Sequence, residues 1–431
     1  MDLFDKCSKF TAAREIMAAG LYPYFNIVNS AQDPEVIVGG KRMIMVGSND
    51  YLGLTTHPKL IKAAARALKR YGTGCTGSRF LNGTFDIHEE LESKLARFEQ
   101  KGAALFFTTG VLANLGTISA LVGKDDIVIT DKADHASIID ACHLCFGETK
   151  RFRHNNMEDL GRVLASCDKS KGKLIVVDGV FSTEGDIIDL PNVVKLAKQY
   201  NARIMVDDAH SVGVLGEEGK GTAEHYGLQD EVDIIMGTCS KSLASIGGFI
   251  TATEEVVHYL RHNSRALIFS ASPPPASVAV VSAALDVIIE EPQRRKRLWE
   301  NTRKMQHGFK EMGYDTGDTQ TPIIPVIIGD NFKCFQMRKI LLEKGVFTNP
   351  FVSPAVPEGR ALIRTSYMAT HTEEQLDRVL EVFESVGKQL GIIPGGKIRR
   401  AAKKIPLRKR ITNQMKNGVN TWMQRIYKFK R

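Results

Sequence analysis

The 431-residue chain has no uninterrupted apolar run approaching the about 18 residues needed to span a bilayer. Its best candidate, residues 276–289, is too short and carries Asp286. The N-terminus, MDLFDKCSKF, lacks the basic start and long apolar core of a secretory leader, which predicts a cytoplasmic protein. Cysteine is sparse: seven residues, scattered and odd in number, suit reduced thiols rather than a disulfide framework. No internal repeat or low-complexity segment is visible. With 43% apolar and 25% charged residues, these absences exclude disordered, collagen-like and disulfide-stapled classes. At roughly 150 residues per domain, the length allows two or three units.

Acidic residues are missing from one place. Residues 397–431 hold 13 of the 58 Lys and Arg and none of the 49 Asp and Glu. The remainder has 45 bases against 49 acids, a net −4, so the overall +9 belongs to the tail. A nucleic-acid partner is therefore not expected. Within the tail, Ile411, Met415, Val419, Trp422, Met423, Ile426 and Tyr427 recur at spacings of three and four opposite Lys416, Arg425 and Lys428. This predicts a basic amphipathic helix suited to an anionic membrane surface, or to packing on the acidic body.

Along the body, short β-rich runs at 104–107, 127–130, 174–177, 203–206, 234–236 and 266–270 alternate with helical patterns at 111–121, 136–146 and Leu190–Tyr200. Such alternation predicts an α/β fold with a mostly parallel sheet covered on both faces and ligands at the strands' carboxyl ends. From about residue 294 the order changes to a long polar helix (293–313), a strand (323–328), a helix (332–344), a strand (360–365) and a helix (372–390), read as a smaller α+β domain. The expected divisions are 1–55, an N-terminal segment packing with the small domain, then 56–293, 294–394 and the tail 395–431.

Two local patterns carry no chemistry. Residues 72–77 match GxGxxG, but a helical pattern precedes them where a dinucleotide fingerprint needs a strand. Cys142 and Cys145 form a lone CxxC without the second pair a structural zinc site requires, so no metal is expected.

The informative set is dispersed over strand ends. The run Ile204-Met205-Val206 ends in Asp207 and, three residues on, His210. A carboxylate and an imidazole so placed can hold a cationic ring nitrogen and a phenolate-type oxygen. After the run ending at Met236, Thr238 and Ser240 flank Lys241, an arrangement suited to a phosphate ester whose aldehyde condenses with the lysine. Asp134 and His135 bring an imidazole to the same sheet edge. Singly each is weak, since a strand-end Asp is usually a helix cap and Ser-Lys-Ser a surface loop.

Their order, with the stretches 48–53 (SNDYLG), 72–83, 134–139, 178–185 (DGVFSTEG), 206–216, 237–248 and 361–372, resembles the α-oxoamine synthase family of pyridoxal-phosphate enzymes over about residues 20–390. Residues 78–84, 154–159, 353–357 and 368–372 are similar in particular to bacterial serine palmitoyltransferases. The resemblance implies the fold type I architecture of aspartate aminotransferase: a large domain with a mostly parallel seven-stranded sheet and a smaller C-terminal α+β domain. It implies a decarboxylating Claisen condensation of L-serine with palmitoyl-CoA or another long-chain acyl-CoA, giving 3-oxosphinganine, CoA and CO2 at the start of sphingolipid synthesis. Other members make 2-amino-3-ketobutyrate, 5-aminolevulinate or 8-amino-7-oxononanoate, and a sulfonolipid enzyme uses cysteate. A non-catalytic membrane-docking subunit is disfavoured because Lys241, Asp207, His210 and His135 are all present.

The implied roles follow. Lys241 bonds the cofactor and shuttles the proton, Asp207 holds the pyridine nitrogen, His210 the ring oxygen, and His135 stacks on the ring. Thr238, Ser240 and the backbone of Gly110 and Val111 hold the phosphate, with Ser182 near the ring. Ser272 reaches the partner's phosphate in a homodimer. Arg364 takes the amino acid's carboxylate, with Asp50 and Tyr51 beside the substrate. Some relatives carry Arg and Asn where this chain has Val352 and Asp50. The location implied is cytoplasmic, peripheral at the inner face of the cell membrane through the tail.

Overall fold

The computed structural model describes residues 2–394, so the basic tail lies outside the described residues. These residues form two units, one of 49–299 with 368–370, the other of 2–48, 300–367 and 371–394. The chain first forms an antiparallel hairpin of β1 (Glu35–Val38) and β2 (Lys41–Met45). Gly39 and Gly40 close it with φ of 57° and 75°, the double left-handed turn that only glycine enters without strain.

The larger unit carries β3 (Ala103–Phe107), β4 (Asp126–Asp131), β5 (Glu148–Phe152), β6 (Gly172–Asp178), β7 (Arg203–Asp207), β8 (Ile234–Thr238) and β9 (Gly248–Ala252). They form one seven-stranded sheet in the order β3-β9-β8-β7-β6-β4-β5, parallel except for the pairs that β9 makes. Alternate residues feed opposite faces. Val128, Leu174, Val176, Met205 and Ile234 pack under the helices Gly110–Leu121 and Ala136–Leu144. Ile127, Ile175, Val177, Ile204 and Val206 pack under Met157–Ala165 and Leu190–Tyr200. Each such buried side chain contributes about 1.5–3 kcal/mol, which is why these strands read as continuous apolar runs.

One predicted strand is corrected. Residues 266–270 do not form a strand; Arg265–Ile268 is a short helix. Leu267 is buried on the same face as the helices, so the run is apolar for packing and not for pairing. Two strands of this sheet went unread. The edge strand β5, Glu-Thr-Lys-Arg-Phe, is mostly polar and half exposed, and β9 begins at the second glycine of Gly247-Gly248.

The smaller unit joins the hairpin to β11 (Val346–Phe347), and pairs β10 (Ile323–Gly329), β13 (Ala361–Ser366) and β12 (Asn349–Phe351) in a second, antiparallel sheet. Met305, Phe309, Ile324, Val326, Phe335, Leu341, Ile363, Val379 and Phe383 make its core. The helix Glu373–Leu390 begins in a capping box, Thr372 Oγ1 accepting the Gln375 N–H at 3.3 Å and Gln375 Oε1 accepting the Thr372 N–H at 3.0 Å. It stops at Gly391, φ 62°.

An ion triad braces the loops at the larger sheet's carboxyl edge. His154 lies between Asp131 (Nδ1–Oδ1 3.1 Å) and Asp186 (Nε2–Oδ2 3.1 Å). Burial alone would lower its pKa, but the two carboxylates outweigh burial and hold it at about 10. Because the folded value exceeds the unfolded value of about 6.5, the stabilisation is complete below pH ~6.5 and fades as pH rises through about 10. His154→Ala should therefore cost about 1–2 kcal/mol in urea unfolding at pH 6, reduced for the ring's partial exposure, and little at pH 10. A cost independent of pH would contradict the triad's charge.

Candidate active site

The ends of β6, β7 and β8 and the start of the helix Gly110–Leu121 enclose a cavity of about 300 Å³. Its wall brings together Gly110, Val111, His135, Ser182, Asp207, His210, Thr238, Ser240 and Lys241, residues spread over more than a hundred positions of sequence. Register explains part of this: Asp178 pairs with Asp207, so β6 and β7 end level, and Asp207 pairs with Met236, two residues before β8 ends at Thr238.

Asp207, 3% exposed, sits at the cavity floor. Its Oδ1 accepts the Ala209 N–H at 3.0 Å, and its Oδ2 accepts from Asn114 Nδ2 at 2.7 Å. Among the described residues no cation forms an ion pair with it. Asp178 lines the cavity with it, and Asp134 is wholly buried. Burial first, then repulsion from Asp207 for Asp178 and from Asp178 for Asp134, pushes both carboxyls well above the usual range. Asp178 Oδ2 accepts the His135 N–H at 2.8 Å, and Asp134 Oδ1 accepts the Asp178 N–H at 2.9 Å, so the pair anchors the backbone that carries the imidazole.

His210 is held by Tyr51, whose Oη lies 2.7 Å from Nδ1. Thus Tyr51, buried at 1% exposure, orients the imidazole directly. At the other end Thr238 Oγ1 and Ser240 Oγ stand 3.2 Å apart beside the helix start at Gly110. A Cβ on Gly110 would meet Thr238 Oγ1 at 2.8 Å, and one on Gly248 would meet Gly110 Cα at 2.6 Å. Only glycine allows this approach, which leaves helix N-terminal amides and two hydroxyls converging where an anion is favoured. Lys241 follows on a tight loop closed by the Ala244 N–H to Lys241 O bond at 2.9 Å and the Ser245 N–H to Cys239 O bond at 2.8 Å.

The remaining predicted residues fall elsewhere. Asp50 is occupied locally: its oxygens accept the Leu54 and Thr55 N–H groups at 2.9 and 3.1 Å and the Thr55 hydroxyl at 2.6 Å. Ser272 does not line this cavity; its Oγ donates to Gly83 O at 2.6 Å. Arg364 belongs to the smaller unit, on β13 opposite Pro325 and Asn349. It is only 4% exposed, and so is no surface arginine. Val352 is a fully buried core residue of the same unit. Cys142 is buried on the helix Ala136–Leu144, which pushes its thiol up to about 12 and makes it unreactive.

Among the polar side chains that line the cavity, sequence reasoning assigned no role to Thr109, Asn114, Ser137 and Asp178. Asn114 had a legible signal, an amide within the otherwise apolar turn Val-Leu-Ala-Asn-Leu of a buried helix. Asp178 had one too, as the polar residue that ends the apolar run 174–177, and Ser137 lies two residues after His135.

The cavity suits a planar, phosphate-bearing pyridine aldehyde. A buried carboxylate lacking a cationic partner meets a ring N–H, the glycine-lined helix start meets the phosphate, and Lys241 offers an amine on the same wall.

Comparison with known proteins agrees with this geometry. The family model for aminotransferases of class I and II matches residues 41–383. A serine palmitoyltransferase of Sphingobacterium spiritivorum is 51% identical over 390 residues, 90% of this chain and 98% of the relative. An 8-amino-7-oxononanoate synthase of Thermoanaerobacter pseudethanolicus is 44% identical, covering 88% of this chain and 96% of that one. A solved serine palmitoyltransferase with pyridoxal phosphate superposes with a TM-score of 0.89 at 37% identity, covering 91% of this chain and all of that one. With a matching family model over most of its length and such relatives beside it, the chain belongs to the class I and II aminotransferase family.

Proposed function

We propose that this protein joins L-serine to a long-chain acyl-CoA by decarboxylating condensation. A proton leaves the serine α-carbon, that carbon bonds the acyl carbonyl carbon, and CoA departs as its thiol. The serine carboxylate then leaves as CO2 and a proton returns, giving 3-oxosphinganine when the acyl group is palmitoyl. The observation that carries this reading is the cavity uniting Asp207, His210, His135, Thr238, Ser240 and Lys241, in a chain half identical to a serine palmitoyltransferase.

Pyridoxal 5′-phosphate is the cofactor, and when bound it supplies the electron sink for the α-carbon's electron pair. Asp207 supplies the buried negative charge that keeps the ring nitrogen protonated. Tyr51 fixes His210 against the ring oxygen, with Ser182 nearby, while Thr238, Ser240 and the amides at Gly110 and Val111 take the phosphate. The Lys241 amine takes the α-proton and returns one after CO2 loss. Arg364 is the candidate for the amino acid's carboxylate, which a planar guanidinium binds bidentately.

The 44% identity to an 8-amino-7-oxononanoate synthase supports a second reading, the same chemistry on another amino acid and acyl-CoA. One screen decides between them: serine, glycine, alanine and cysteate crossed with acetyl-, succinyl- and palmitoyl-CoA, with thiol release followed. Serine with palmitoyl-CoA should turn over fastest. A preference for a short acyl group or for alanine would overturn the first reading.

We further propose a homodimer. Phe80, Leu81 and Phe269 are exposed beside the contact of Ser272 with Gly83, an apolar surface that a second copy would cover. A fully active monomer in sedimentation would refute this. No helix among the described residues is long and apolar enough to cross a membrane. On sequence grounds alone, the tail of residues 397–431 is proposed to dock on anionic membrane. Deleting it should abolish co-sedimentation with anionic liposomes at low salt and spare turnover of soluble acyl-CoA. A full-length protein that ignores such liposomes would end this proposal.

A further inference from the structure

A line of hydrogen bonds joins the floor of the cavity to the imidazole on its wall. Asn114 Nδ2 donates to Asp207 Oδ2 at 2.7 Å and to Ser137 Oγ at 2.9 Å. Ser137 Oγ lies 2.7 Å from His135 Nδ1, and the Ser137 backbone N–H donates to that same nitrogen at 3.2 Å. The hydrogens along this line can be assigned by elimination. A backbone N–H can only donate, so His135 Nδ1 must accept and carries no hydrogen. An ionised carboxylate can only accept, so Asn114 turns its amide nitrogen and not its oxygen toward Asp207. That nitrogen has two hydrogens, one for Asp207 and one for Ser137 Oγ. The Ser137 hydroxyl therefore accepts from Asn114 and gives its own hydrogen to Nδ1. Asn114 thus donates in both directions, to the anionic floor and to Ser137, and Ser137 passes its own hydrogen on to the ring.

The bland account of Ser137 is a helix cap, because His135 precedes the helix Ala136–Leu144 and its ring accepts a first-turn N–H. A cap does not require Asn114. Yet Asn114 is 1% exposed, and its Oδ1 has no hydrogen-bond partner. It accepts that cost to hold Asp207 and Ser137 at once. The His135 backbone is also fixed, its N–H donating to Asp178 Oδ2 at 2.8 Å.

We propose that Asn114 and Ser137 are positioning residues that lock His135 as the neutral tautomer with its hydrogen on Nε2, so that the imidazole presents a donor to the reacting amino acid. The charge of Asp207 thereby sets both the ring nitrogen it faces and, through two intermediates, the hydrogen of an imidazole with which it makes no direct hydrogen bond. The use of that donor rests on the function proposed above; the tautomer itself does not.

The test reads the tautomer directly. Holoenzyme labelled with 15N-histidine is followed by two-bond 1H–15N correlation, with the His135 signal identified by its loss in His135→Gln. The native protein should show a protonated Nε2 and an unprotonated Nδ1. Because the longer 3.2 Å backbone contact holds Nδ1 less firmly by itself, Ser137→Ala and Asn114→Ala should each admit a fraction of the other tautomer, with a fall in kcat/KM of about fivefold, the weight of one neutral hydrogen bond. Ser137→Thr, which keeps a hydroxyl, should restore the single tautomer and most of the rate. A hydrogen on Nδ1 in the native protein, or a tautomer unmoved by both alanine variants, overturns the relay. If Asn114→Ala does not fold, the Ser137→Ala and Ser137→Thr pair decides alone. Tautomer shifts in a protein that does not condense serine would sustain the relay and refute the functional reading instead.

Discussion

Lys241→Ala is expected to lower condensation by about a thousandfold or more and to remove the protein's visible cofactor absorption, while the fold stays intact. Among the described residues no other lysine lines the cavity, so no neighbouring amine there can take its place. The side chain sits on a loop whose shape is set by the bonds from Ala244 to Lys241 and from Ser245 to Cys239, all of them backbone to backbone. Truncation at Cβ therefore removes the amine without disturbing its support. The checks are thiol release under saturating substrates, the absorption spectrum, and far-ultraviolet circular dichroism as a control. A variant that kept a tenth of the activity would show that another group moves the α-proton.

Asp207→Asn is expected to lower kcat about 100- to 1000-fold and to leave the cofactor bound. The buried carboxylate would lose its charge but not its shape. Removing one partner of a buried ion pair costs about 3–5 kcal/mol because the other charge is left uncompensated. The neutral side chain also keeps only one acceptor oxygen for two donors, the Ala209 N–H and the Asn114 amide, so one of those two contacts is broken or reversed. Steady-state kinetics with the bound cofactor quantified would test this. Unchanged turnover would mean that Asp207 is a cap for Ala209 and nothing more.

Two lesser tests separate charge from packing. The His154 triad predicts a stability loss that depends on pH, and the tail deletion predicts a change in liposome binding without one in turnover. No residue of the triad lines the cavity.

The order of strands and helices in the larger unit could be read from residues alone where burial is complete. The runs ending at Val177, Val206 and Met236 are apolar because both sheet faces are covered, and the polar residues after them mark the edge where a ligand binds. Asp207, His210, Thr238, Ser240 and Lys241 were legible for that reason: each sits within a few residues of such a run. Where a strand is exposed, as in β5, or opens on glycine, as in β9, the pattern fades. Where an apolar stretch packs beneath helices, as at Leu267, the pattern misleads.

What only the tertiary structure decided is who supports whom. Tyr51 and His210 stand 159 residues apart, Asn114 and Asp207 93 apart, and each pair meets at 2.7 Å. Asp50, which the resemblance sets beside the substrate, has a carboxylate that accepts from Leu54 and Thr55. Patterns in a chain record how often a residue type recurs, and so they record burial. A hydrogen bond depends on two atoms and one direction, and for side chains so distant in sequence that direction exists only once the sheet has closed.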